Sequence, residues 1–143
     1  MNVHIIFHTK SATPMCKDDL ARIHAYIGGI VKGLGSIPIQ IGGVENHIHI
    51  LATLPKTMSL SDFVRSIKAE SSRWMKGLGE SYGKFAWQEG YGAFSVSASV
   101  VESTVAYICK QEEHHRKESF VEEYRRFLDA YKMEYDERYI ESD

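Results

Sequence analysis

The sequence predicts an α+β fold in which an antiparallel sheet carries helices on one side, and three observations lead there. Short runs rich in β-branched residues alternate with longer stretches whose apolar residues recur every three or four positions. Glycine-containing breaks separate the two kinds of segment. The resulting order, β-α-β-β-α-β-β-α-α, sets strands beside strands along the chain, where short turns join them in antiparallel fashion.

Val3-His4-Ile5-Ile6-Phe7 reads as the opening strand and gives way to the polar Thr9-Lys10-Ser11. A helix is expected from about Lys17 to Lys32, where Leu20, Ile23, Ile27, Ile30 and Val31 recur at helical spacing until Gly33 and Gly35 end it. Ile37 to Ile41 alternates as a strand, Gly42-Gly43 is expected to turn the chain, and Glu45 to Leu54 returns as the second strand of a hairpin. From Ser59 to about Lys76 the helical pattern resumes, with Leu60, Phe63, Val64, Ile67 and Trp74 in one apolar stripe. Opposite them Arg65, Lys68, Ser72 and Lys76 fall at steps of three and four, with Arg73 beside them. By itself such a stripe reads as a solvated helix surface, and only a separate nucleic-acid argument promotes it.

After the Gly77-Leu78-Gly79 break, Phe85 to Gln88 and Tyr91 to Val96 are expected as two short strands around Glu89-Gly90. Ser99-Val100-Val101-Glu102 has the spacing of a capping box and predicts a helix running to about His115. A last amphipathic helix is expected from about Ser119 to Tyr131, with a polar end after it.

The 143 residues, 43% apolar and 11% aromatic, suffice for one core, so a single domain over 1–143 is expected. No apolar run approaches the roughly 18 to 20 residues of a membrane span. Met1-Asn2-Val3-His4 lacks the basic-then-apolar opening of a secretory signal, and a cytoplasmic protein is expected. Cys16 and Cys109 stand far apart outside any Cys-x-x-Cys pair, which predicts neither a zinc knuckle nor a disulfide framework. The net charge of −2 is unevenly distributed. Residues 1 to 111 carry 11 Lys+Arg against 8 Asp+Glu, a balance of +3, and residues 112 to 143 carry 6 against 11, a balance of −5. An acidic tail facing elsewhere is compatible with a mildly basic working face, so bulk charge neither supports nor excludes DNA.

His47 and His49 stand two apart in an apolar strand, so their imidazoles leave one face while Ile48 and Ile50 point into the core. Two imidazoles on one face are a start for a divalent cation, although a hard ion also wants oxygen donors. Alone, the pair also reads as an accident of strand composition. Tyr107 and Gln111 lie four apart on the capped helix and share a face, while Val101, Val105 and Ile108 form a different stripe that can bury against the sheet. Gln111 can add a neutral carbonyl ligand to make a His-His-Gln set. A phenol with an ordinary pKa near 10 is a poor nucleophile, so a tyrosine attacking a phosphate needs a nearby cation to favour the developing charge. Taken alone, Tyr107 reads as packing.

These residues together resemble a known family. Glu45-Asn46-His47-Ile48-His49-Ile50-Leu51 resembles the His-hydrophobic-His (HUH) motif, and Tyr107-Ile108-Cys109-Lys110-Gln111 the Tyr-x-x-x-Gln signature of the single-tyrosine HUH transposases. Phe7-His8-Thr9-Lys10, Lys68 to Trp74, Trp87 to Val96 and Gln111-Glu112-Glu113-His114-His115 agree in order and position. The resemblance implies a transposase of the small insertion sequences that move as single strands, with a ferredoxin-like core over about 1–97, a catalytic helix over about 100–115, and a C-terminal helix and acidic tail over about 117–143. It implies that His47, His49 and Gln111 bind Mg2+ or Mn2+, and that Tyr107 attacks the phosphate to give a 5′-phosphotyrosine and a free 3′-OH. It further implies a homodimer, with or without exchange of the tyrosine helices about Ser97-Ala98-Ser99, and single-stranded DNA with hairpin ends as substrate. Lys10, Arg65, Lys68, Arg73 and Lys76 are the candidates for touching its backbone, and Trp87 or Tyr91 for stacking on an unpaired base. Many relatives have Pro-Asp where this chain has Glu45-Asn46, which leaves the ligands in place and changes the turn or a partner behind them. His4, His8, His114 and His115 are further histidines that could be proposed as ligands.

Three other readings compete. One is a mobilising or replication-initiating HUH nuclease, whose usual helicase or primase domain this chain has no room for. Another is a domesticated, non-mobile relative that binds palindromic DNA or acts as a host-associated nuclease. The third is a small metal hydrolase in which Tyr107 is structural.

Overall fold

The structure is a computed structural model that describes residues 1–111 together with Glu122, Glu123, Arg125 and Arg126. Its elements follow in the order β1 (Asn2–His8), α1 (Leu20–Gly33), β2 (Pro38–Val44), β3 (His47–Thr53), α2 (Leu60–Lys76), β4 (Gly92–Val96) and α3 (Val101–Cys109). The four strands form one sheet in the order β2-β3-β1-β4, antiparallel throughout. With a helix between β1 and β2 and another between β3 and β4, this is the ferredoxin-like arrangement the sequence predicts.

Strand alternation divides the side chains between two layers. Val3, Ile5 and Phe7 of β1 and Ile48, Ile50 and Ala52 of β3 meet Ile23, Ile27, Ile30 and Val31 of α1 and Phe63, Val64, Ile67 and Met75 of α2 in the main core. Tyr26 and Trp74 tie α1 to α2 by stacking with ring centroids 4.1 Å apart. The Ser59 side chain caps α2 by accepting from the Asp62 N–H at 3.1 Å. The opposite face holds a smaller core in which Leu51 and Val96 meet Ile108, with Val101 and Val105 packed alongside. The two long helices therefore share one face as expected, and the predicted Val101, Val105 and Ile108 stripe lays α3 across the other.

Four local expectations are corrected. Gly42-Gly43 does not turn the chain: β2 continues through both to Val44, and the turn falls at Glu45-Asn46. Gly43 has φ +149, and a Cβ there would stand 2.3 Å from the His47 carbonyl oxygen, so glycine is needed inside the strand. Phe85 to Gln88 forms no strand, only an isolated bridge between Thr9 and Trp87, because Phe85 and Trp87 turn into the main core instead of pairing along a ladder. Ser99 does not cap α3: it lies within a 3-10 turn over Ala98–Val100, and the helix begins from Val100 without a side-chain cap. Lys17–Asp19 likewise forms a 3-10 turn, and α1 proper starts at Leu20. The stretch to His115 and the helix over Ser119 to Tyr131 lie outside the described residues, except that Glu122, Glu123, Arg125 and Arg126 are helical. No helix among the described residues is long and apolar enough to cross a membrane.

Candidate active site

The site lies on the sheet face that α3 covers. His47 and His49 leave β3 there, both 0% exposed, as their spacing predicts. In the register, His49 pairs with Ile6 and Gly42, and His47 with His8 and Val44. Gly42 leaves room for α3 to come down onto the sheet, since a Cβ at this position would stand 2.7 Å from Ile108 Cγ2 and 2.9 Å from the Ile108 carbonyl oxygen. That close approach brings Tyr107 and Gln111 to the histidines. The His49 and Tyr107 ring centroids are 5.9 Å apart, and Gln111 Oε1 lies 3.1 Å from His47 Nε2.

His47 is held between two amide side chains. Its Nδ1 is 2.8 Å from Asn46 Oδ1, and its Nε2 faces Gln111 Oε1. Gln111 Nε2 donates to the Tyr107 carbonyl oxygen at 3.3 Å, which keeps the amide oxygen turned toward the ring. A neutral imidazole carries one N–H, so it can donate to only one of these two oxygens. A cation held between Nε2 and the amide oxygen would satisfy the other. On the adjacent ring, His49 Nδ1 meets His4 Nε2 at 2.8 Å, and His49 Nε2 lies 3.0 Å from Glu123 Oε1. Burial first, and then the neighbouring His49, hold the His4 pKa down at about 3, so His4 is a neutral partner that sets the orientation of His49.

Glu123 completes the cluster. It is 0% exposed, and Oε1 also lies 3.5 Å from His47 Nε2. Its ligand atom and those of His47 and His49 all fall within 4.8 Å of one another, a grouping that could hold a metal ion. Two imidazoles, an amide oxygen and a carboxylate form a mixed nitrogen and oxygen donor set that fits a divalent cation. The Tyr107 hydroxyl donates to the other Glu123 oxygen and accepts from Arg126 Nη2 at 3.0 Å. Burial, reinforced by the bond to Glu123, raises the phenol pKa well above its ordinary value, and Arg126 and Gln111 oppose the rise.

Glu123 and Arg126 are thus parts of the site that the sequence did not assign to it, and His4, offered by the sequence only as a further possible ligand, is instead a hydrogen-bond partner of His49. Asn46 belongs to the Glu45-Asn46 departure from the family pattern and supplies the oxygen that orients His47. His4 stands two residues before Ile6, the cross-strand partner of His49, so strand register was the signal available for it. Glu123 and Arg126 lie beyond α3 in the chain, and no local spacing reveals that their side chains reach Tyr107. His114 and His115 lie outside the described residues, and His8 is half-buried beside His47 at the end of β1.

Three of the five basic candidates, Arg65, Lys68 and Lys76, line a cleft on the α2 side of the molecule. Arg65, Lys68, Ser72 and Lys76 of α2 face residues 85–91 across a cleft of about 560 Å³. Lys68 Nζ donates to the Gln88 and Gly90 carbonyls at 2.9 and 2.6 Å, which pins the far wall, and burial draws its pKa down to about 8. Gln88 N–H in turn donates to the His8 carbonyl at 2.8 Å, joining that wall to the strand end beside His47. Arg73 and Lys10 are exposed outside the cleft. Trp87 is core, donating from Nε1 to buried Ser71 Oγ at 2.9 Å, whereas Tyr91 is 36% exposed on the cleft wall. Cys16 and Cys109 are both exposed and free.

Comparisons with known proteins bear on this site. The profile of the family described as "Transposase IS200 like" matches residues 1–111. No curated protein matches the chain. Among solved structures, a proposed transposase from Deinococcus radiodurans R1 is 21% identical with a TM-score of 0.59, over 78% of this chain and 90% of that one. A REP-associated tyrosine transposase, solved bound to a REP hairpin, is 15% identical with a TM-score of 0.58, over 80% of this chain and 67% of that one. At these identities the two structures establish a shared fold.

Proposed function

Because the chain belongs to the IS200-like transposase family, we propose that it cuts and rejoins single-stranded DNA through a covalent bond to Tyr107. The observation that carries this reading is the convergence of the half-buried Tyr107 ring with the buried His47 and His49 imidazoles and Gln111 amide oxygen. A phenol beside two imidazoles and an oxygen donor is the equipment a phosphate-attacking tyrosine requires.

His47, His49 and Gln111 would hold the divalent metal, Mg2+ or Mn2+. When bound, that ion supplies charge stabilisation to the phosphate oxygens as negative charge builds on them. Asn46 and His4 keep the two imidazoles aimed, so the ligand nitrogens need no reorganisation. Tyr107 Oη forms a bond to phosphorus while the bond from phosphorus to the 3′-oxygen breaks, and the proton lost by the phenol is balanced by the one gained at the 3′-oxygen. The products are a 5′-phosphotyrosine and a free 3′-OH. The new ester keeps one phosphate ester bond for another, so a 3′-OH from another strand can reverse the step without ATP. Excision and insertion of a mobile element are then one reaction in two directions.

Lys10, Arg65, Lys68, Arg73 and Lys76 would make the phosphate contacts, with the α2 cleft leading to the strand end beside His47. The hairpin in the REP-associated relative supports hairpin-ended DNA as the substrate here as well. A homodimer is part of this reading, with or without exchange of the tyrosine helices about Ser97-Ala98-Ser99.

The test is incubation with Mn2+ and labelled single-stranded DNA carrying hairpin ends, followed by a search for a covalent protein–DNA adduct. We expect an adduct on single strands, none on duplex, and none with Tyr107→Phe. Undiminished cleavage by the Phe variant would overturn the proposal, because it would mean hydrolysis without tyrosine.

A further inference from the structure

We propose that Glu123 is a fourth protein donor to the metal centre and at the same time holds the Tyr107 hydroxyl, which makes the C-terminal helical segment part of the active site. The inference rests on the metal-centre reading above and extends it to a residue outside the His-His-Gln set.

Geometry is the first support. Glu123 is wholly buried, with Oε1 3.0 Å from His49 Nε2 and 3.5 Å from His47 Nε2. Its second oxygen accepts from the Tyr107 hydroxyl. One carboxylate thus has one oxygen among the candidate ligand nitrogens and the other on the candidate nucleophile.

Charge is the second support. His47, His49 and Gln111 are three neutral donors, and a hard divalent cation prefers oxygen ligands that bring negative charge. Adding Glu123 supplies a charged oxygen and lowers the net charge of the loaded site from +2 to +1, while positions stay open for phosphate oxygens. Burying a carboxylate is costly unless positive charge meets it, and a cation between these groups would serve His47, His49 and Glu123 together. Because Glu123 and Tyr107 lie on different helices, loading the site and fixing the phenol become linked through a single side chain. Arg126, at 3.0 Å from the same hydroxyl, completes that hold from the next turn of the segment.

Calorimetric titration of the metal-free full chain with Mn2+ tests this without reference to activity. We expect Glu123→Gln, matched in volume but uncharged, and Glu123→Ala each to weaken Mn2+ binding at least tenfold, and His49→Ala to abolish it. Melting of each metal-free variant identifies folded samples, and Glu123→Gln carries the test if Glu123→Ala does not fold. Binding by Glu123→Gln as tight as the parent's, or tighter, overturns the proposal, since it would show a carboxylate that merely fills the ion's place. If His49→Ala abolishes binding while Glu123→Gln does not, the assignment of Glu123 fails and the metal-centre reading stands. If His47→Ala and His49→Ala both bind normally, the two fail together.

Discussion

Gly42 lies directly under Ile108, so close that a methyl group on the glycine would stand 2.7 Å from Ile108 Cγ2 and 2.9 Å from the Ile108 carbonyl oxygen. Backbone is one of the two obstacles, so the crowding cannot be relieved by a side-chain rotation alone. Gly42→Ala should therefore lift α3 from the sheet and destabilise the fold by about 1–3 kcal/mol, the usual cost of overpacking. Adduct formation should fall as well, because Tyr107 rides on the same helix. Gly29→Ala is the control: a Cβ there meets nothing within 4 Å, and in a helix interior the change should be neutral or stabilise by roughly 0.5–1 kcal/mol. Thermal melting of the two variants checks the contrast.

Asn46 is expected to tune the metal centre through the ring it orients. Its Oδ1 fixes which nitrogen of His47 carries the proton and so leaves Nε2 as the ligand atom. Asn46→Ala should weaken Mn2+ binding by about 10- to 100-fold, the range seen when such orienting partners are removed. Asn46→Asp keeps an acceptor in place and should bind within a few-fold of the parent. Calorimetry that found Asn46→Ala unimpaired would show that the ring is held by packing alone.

The contrast between Gly42 and His47 indicates how far the sequence could be read. Spacing set His47 with His49 on one strand face and Tyr107 with Gln111 on one helix face, but only the family resemblance joined the two pairs into one proposed site. The Val101, Val105 and Ile108 stripe was legible from spacing as well. Gly42-Gly43 misled because a glycine pair marks a tight turn and a close backbone approach equally well, and only the presence of α3 overhead distinguishes them. Phe85 to Gln88 has a strand's composition, yet Phe85 and Trp87 are held by the core and by Ser71. Ser99 has capping-box spacing, but the chain enters α3 through a 3-10 turn, and the Ser99 hydroxyl meets that of Ser97 at 3.2 Å. His4 and Glu123 depend on register and on helix docking, which are properties of the folded chain.

His24 should make stability sensitive to mild acid. Its Nε2 is buried without a hydrogen-bond partner among the described residues, and burial lowers its pKa to about 4. The unfolded chain, with a histidine pKa near 6.5, binds more protons across that interval, so stability rises with pH there. The full contribution is present above pH 6.5 and is lost as pH falls toward 4. Allowing for partial solvent access, the loss should be on the order of 1–2 kcal/mol. His4 adds a loss of the same sign, so the measurement is the difference between parent and His24→Leu in urea midpoints from pH 7 to 4. A constant difference would show that His24 does not titrate in this range.

The basic residues of α2 should separate into two classes on substitution. Lys68 holds the far wall of the cleft through the Gln88 and Gly90 carbonyls and lies over the Phe7 ring at 5.2 Å, so Lys68→Met should destabilise the fold by about 1–3 kcal/mol by leaving those carbonyls short of a donor. Arg65 and Lys76 are exposed on the cleft rim, and truncating them should leave melting within about 0.5 kcal/mol of the parent. Each should instead weaken binding of single-stranded DNA and reduce the slope of log affinity against log salt by about 0.7, the expected change for one phosphate contact on a single strand. Arg73 and Lys10, outside the cleft, test how far the contact surface extends. Binding measured by fluorescence anisotropy at several salt concentrations separates the classes. A parent-like salt slope in the Arg65→Ala and Lys76→Ala variants would place the DNA on another face of the molecule.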